Sequence, residues 1–130
     1  MATITQADQY SITTGGGPIT LTHNTSSTVM GAELYYTSRI ISMYVSNVSS
    51  TKSYNFIAQK SDRLSESNTQ TVSFFACKLK PLETVRIITR ANPIVFETLE
   101  TAFFKIQTLN GDATSGSDIE YYWAREQWRL

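Results

Sequence analysis

The chain has 130 residues, enough for one domain with one core, and its eleven Lys and Arg balance eleven Asp and Glu. A surface that holds phosphates carries a basic excess, so no nucleic-acid partner is expected, and no apolar run nears the ~20 residues of a bilayer span, so no membrane partner either. Charged residues make up 17%, below the ~25% of an average soluble domain, while 12% aromatics argue against disorder.

Residues 1–30 read as an extended N-terminal arm. Gly15–Gly17 and Pro18 impose no fixed conformation, and one alternating strand fits Ile19 to Thr22. Ordering such an arm costs conformational entropy, so it is expected to lie against something, such as a neighbouring subunit. The opening "MATITQADQYSITTGGGPITL" lacks the basic and apolar regions of a signal peptide, and a start in a cytoplasm is expected.

Residues 31–124 carry the pattern of a β-sandwich. Ile41, Met43 and Val45 alternate with Ser42, Tyr44 and Ser46, as in a half-buried strand. "SNVSSTKS" is a polar turn, after which Tyr54, Phe56 and Ala58 share one face. "KSDRLSESNTQ" reads as a long polar loop. "TVSFFACKL" is apolar on both faces, with Val72, Phe74 and Ala76 opposite Phe75, Cys77 and Leu79. Pro81 marks a turn before the short strand "VRIIT", and "RANP" breaks that strand. Beyond the loop "LNGDATSGSD", Ile119, Tyr121 and Trp123 alternate with Glu120, Tyr122 and Ala124.

"NPIVFETLETAFFKIQTLNGD" admits two readings. Val95, Leu99, Ala102, Ile106 and Leu109 recur at helical spacing, yet Ile94–Phe96 and Phe104–Ile106 are short runs of strand formers. A helix here would lack a well-placed N-cap and would hold several threonines and β-branched or aromatic residues, all indifferent helix formers. The expectation is strand, tight turn at Thr98–Glu100, strand. Glu97 and Glu100 then flank a hairpin turn as exposed charges that guard an edge.

The order "RIISMYVSNVSSTKSYNFIA", "KLKPLETVRIIT", "NPIVFETLETAFFKIQT" and "NGDATSGSDIEYYW" resembles small virion proteins of tailed bacteriophages, over about Arg39 to Trp123. In that family a strand of the form I-x-S-I-Y-V-x-N opens the domain, a proline-bearing turn follows, and the last strand ends in an aromatic pair. The family's Gly-Asp turn is replaced here by "TLET". The resemblance implies an antiparallel β-sandwich on the particle surface or at the neck and tail, with no enzymatic activity.

Reactive constellations are scarce in this sequence. His23 is the single histidine and lies in the Ser/Thr-rich arm, so a triad would have to use it without a rigid surround. His23 and Cys77 are too few for a zinc site, and one cysteine excludes an intrachain disulfide. Cys77 reads as a small apolar residue. Asp112, Asp118 and Glu120 cluster without EF-hand spacing, and Asn110-Gly111-Asp112 is already explained as a turn. "GGGP" has no Lys-Ser/Thr after it and is no phosphate loop. The Asn-x-Ser/Thr triplets at Asn24 and Asn47 are expected by chance in so Ser/Thr-rich a chain. No cofactor, metal or catalytic residue is expected.

Aromatics and arginines offer more. Tyr35, Tyr36, Tyr122, Arg125, Trp128, Arg129 and Leu130 are the candidate interface residues, because Tyr, Trp and Arg dominate protein–protein hot spots. Residues 125–130, "REQWRL", read as an aromatic C-terminal tail that docks on a partner. The expectation is thus an all-β, jelly-roll-like sandwich with an arm and a tail, serving as a non-enzymatic virion component. As a capsid decoration (cement) or neck/tail accessory protein, it would bind other virion proteins and its own copies, as a trimer at threefold positions. A glycan-binding adhesion module that uses the same aromatics is the alternative.

Overall fold

The structure is a computed structural model and describes residues 10–32, 36–65, 68–97, 99–107 and 115–129. Among these, every regular element is a strand: β1 (Tyr10–Thr22), β2 (Ser27–Gly31), β3 (Tyr36–Asn47), β4 (Tyr54–Ser65), β5 (Asn68–Leu79), β6 (Thr84–Ile88), β7 (Ile94–Phe96), β8 (Thr101–Gln107) and β9 (Ser115–Arg129).

Two antiparallel sheets pack face to face, so the expected all-β sandwich is what the chain forms. The first sheet runs β1-β9-β3, with β6 and β7 both pairing along the far side of β3. The second runs β2-β8-β4-β5. Taken as one strand broken by the Thr89–Asn92 turn, β6 and β7 complete the interleaved order of a jelly roll, two Greek keys rolled together.

Period-two alternation fills the space between the sheets. Leu21, Ile40, Met43, Val45 and Ile119 of the first sheet meet Tyr54, Phe56, Ala58, Ala102, Phe104 and Ile106 of the second, all fully buried. Phe104 stands edge-on to Phe56, 4.8 Å between centroids, and to Tyr121 of the opposite sheet, 5.6 Å away. Cys77 is half-buried against this core, and burial pushes its thiol pKa up. A bulge between Ile40 and Ser42 lets both Ile40 and Met43 face inward.

Of residues 1–30, expected as an arm, Tyr10–Thr22 form β1 of the sandwich itself and residues 27–30 lie in β2. The inward face of β1 is poor in apolar side chains because its partner strand supplies the bulk. Gly15 pairs with Trp123, and a Cβ at residue 15 would lie 2.3 Å from the indole Cζ2. Gly16, at φ 156°, would place a Cβ 2.4 Å from the Tyr121 carbonyl oxygen. Gly15 is therefore a built seat for an aromatic ring and Gly16 a close backbone approach, a fixed role for two glycines that the sequence alone leaves conformationally free. Residues 1–9 lie outside the described residues.

Residues 125–129, expected as a tail, continue β9, the strand between β1 and β3. Apolar alternation stops at Trp123 in the sequence because the next inward positions, Arg125 and Gln127, are polar. The polar run "KSDRLSESNTQ", expected as a loop, belongs largely to a long β4–β5 hairpin in which Lys60 to Arg63 pair with Val72 to Thr69. With no apolar residue alternating along it, only backbone pairing marks this stretch as strand.

β7 and β8 confirm the strand reading of residues 94–107, and Leu99 turns the chain at φ 65°. The turn is not a hairpin, however, because β7 belongs to the first sheet and β8 to the second. Glu100 is no exposed guard either. It is buried, and its carboxylate accepts the Glu97 N–H at 2.8 Å and pairs with Lys60 Nζ at 3.0 Å. A crossing between sheets needs its backbone donors satisfied locally, and this carboxylate does that.

Another crossing, from β3 to β4, is held by Asn47. Its buried Nδ2 lies 2.7 Å from the Lys52 carbonyl and 3.1 Å from that of Lys80, while Oδ1 accepts the Ser49 N–H at 3.0 Å. An amide committed in this way has no room for a glycan. Of the two sequons, only Asn24 is exposed.

Candidate interaction surface

Because Ile119, Tyr121 and Trp123 face the core, the alternate residues Glu120, Tyr122, Ala124 and Glu126 of β9 project from the outer face of the first sheet. Strand register arranges that face in rows. One row runs Gly16, Tyr122, Tyr44, Arg86 across β1, β9, β3 and β6. Tyr122 and Tyr44 stack at 5.2 Å between centroids, and the Arg86 guanidinium lies 6.0 Å from the Tyr44 ring. Cross-strand aromatic pairs and cation–π contacts of this kind hold the rings in place.

The next row is low: Thr14, Ala124 and Ser42. Beyond it come Ile12, Glu126, Arg39 and Val95. Ile12 is 56% exposed and Val95 43%, so two branched apolar side chains stand in solvent at opposite ends of one row. Tyr10 and Trp128 form the last row with Thr37. The surface is a trough of small residues between an aromatic ridge and a mixed ridge, on a rigid sheet.

The mixed ridge has a charged centre. Glu126 is buried among Arg39, which donates to its Oε2, Arg90, at 3.4 Å from its Oε1, and the Tyr10 hydroxyl. The hydrogen bond from Arg39 is the main cause holding the Glu126 carboxyl below the usual carboxylate range. Burial, and after it the neighbouring carboxylate, push the Tyr10 phenol up. A carboxyl whose pKa is lowered by folding stabilises the protein above the unfolded value, roughly pH 4, and that stability is lost as pH falls through the folded value. The melting temperature of the wild type is therefore expected to drop on acidification below pH ~4. Glu126→Gln should melt lower at pH 7 and lack this component, as a thermal melt series from pH 7 to pH 3 would read.

The candidate residues divide on this frame. Tyr122 and Trp128 lie on the outer face of the first sheet. Tyr36 and Arg129 pair at the end of β3 and β9. Arg125 is a correction: it is buried inside the sandwich. Its Nε donates to Thr13 Oγ1 at 2.8 Å, its Nη1 donates to the Gly31 carbonyl at 2.8 Å, and its guanidinium lies 5.1 Å from the Trp123 ring. It ties β9 to β1 and β2 and is not available for docking. Tyr35 and Leu130 lie outside the described residues.

The sequence reading missed Tyr44, Arg86, Ile12 and Val95. Tyr44 had a signal, since the alternation of β3 put it opposite the apolar face. Its pairing with Tyr122 and Arg86 required the register of three strands. No group of three or more His, Cys, Asp or Glu among the described residues is placed to hold a metal. His23 is exposed, 3.2 Å from the Asn24 amide. No protein-family model matches the chain, and no curated protein matches it.

Proposed function

We propose that the chain is a non-enzymatic structural component of a tailed-phage virion, a capsid decoration or neck/tail accessory protein. It acts by protein–protein adhesion through the outer face of its first sheet. One observation carries the adhesion reading: the row Gly16–Tyr122–Tyr44–Arg86, flanked by exposed Ile12 and Val95. Tyr and Arg anchors are the composition of interface hot spots, and a preformed sheet loses little entropy on docking. The virion assignment is supported by the resemblance over Arg39 to Trp123 and by a jelly roll, an architecture shared by capsid domains among others.

Sugar stacking is less well supported. Trp123 is turned inward and donates its indole N–H to the Val29 carbonyl at 2.8 Å, and Tyr44 already has Tyr122 and Arg86 beside its ring. Immunogold labelling of purified virions, with antibody raised against the chain, tests the proposal. Gold at a repeated position on head, neck or tail is expected. Virions free of label, with the chain left in the infected-cell lysate, would overturn it.

A further inference from the structure

We infer that the N-terminal half of β1 is a self-association edge, which pairs antiparallel with the same strand of a second copy. β1 ends the first sheet, with β9 as its one strand neighbour there among the described residues. Sheet edges are normally guarded by charge, proline, bulges or short length. β2 is short and irregular, β6 carries Arg86, β7 has three residues, and β5 carries Lys78 and faces two register shifts. The C-terminal half of β1 is guarded by Pro18 and by the irregularity between Ile19 and Leu21.

The half from Tyr10 to Thr14, "YSITT", carries no charge, proline or bulge. It is held in unbroken register against Trp128 to Ala124, so its outer edge is preformed. Ile12 at its centre is 56% exposed. An uncharged edge meets no repulsion from its own copy, and antiparallel pairing about a two-fold axis at Ile12 is self-complementary and closed. Ile12 then lies opposite the Ile12 of the copy, a cross-strand apolar pair on the outer face. The two first sheets become one continuous sheet, and the two adhesive faces lie side by side. This pairing is two-fold, in contrast to the trimer expected of a threefold position.

Light scattering on the purified chain, with amide hydrogen exchange at several concentrations, tests this pairing. The expected mass is about twice the 14.6 kDa of one chain, falling to one chain in Ile12→Lys. Exchange at Tyr10–Thr14 should slow as concentration rises while β5 stays unchanged. Should Ile12→Lys fail to fold, by its far-UV spectrum, the wild-type exchange decides alone. A monomer at every concentration, a trimer, or a dimer whose slowed amides lie outside β1 would overturn the inference. The pairing deepens the adhesion reading but is measured without particles, so a monomer that still labels virions would sink the edge and leave the function standing.

Discussion

Trp123→Ala is expected to lower stability by about 3–5 kcal/mol, the range for truncating a large core aromatic, because its partly buried ring packs against the core. Three contacts end together. The ring leaves the seat over Gly15, which has no side chain to collapse into the space. The Val29 carbonyl on β2 loses its indole donor, a hydrogen bond that crosses from one sheet to the other. The Arg125 guanidinium loses the ring beside it while staying buried. Against a total of about 5–15 kcal/mol for a domain, such a loss moves the urea midpoint far, and a chain that stays folded should still unfold in one transition. A midpoint within experimental error of the wild type would mean that the indole does not join the sheets.

Phe104→Ala should cost a similar ~3–5 kcal/mol, because Phe104 is fully buried and edge-on to both Phe56 and Tyr121. Its neighbour Phe103 supplies the control. It faces outward on β8 and is half-buried, so Phe103→Ala should cost clearly less. Parallel denaturation of the two variants reads the difference. Equal losses would contradict the alternation of β8, and with it the register that joins the second sheet to the first.

Those two phenylalanines also show what the sequence makes legible. Wherever one face of a strand is apolar and the other polar, as in Met43 to Ser46 or Ile119 to Tyr122, alternation alone marks the strand and its inward face. It failed where the core was filled by something else. β1 presents glycine and threonine inward because Trp123 occupies the space, so it looked like an unanchored arm. Arg125 reads as a surface residue by type, yet Thr13 and Gly31 accept its hydrogen bonds inside, and no local pattern encodes partners more than 90 residues away. Glu100 was misplaced for the same reason, since its partner Lys60 lies on another strand. The candidate surface was half visible: outward Tyr122 and Tyr44 follow from alternation, whereas their stacking is a property of register.

Hydroxyl-radical footprinting of the chain, free and bound to virion particles, tests most directly whether the outer face of the first sheet is the adhesive one. Labelling of Tyr44, Tyr122 and Val95 should fall on binding, while Phe103 and Ile57 on the outer face of the second sheet keep their free-state levels. Unchanged labelling at Tyr44 and Tyr122, with protection at Phe103 and Ile57, would place adhesion on the opposite sheet and contradict the account.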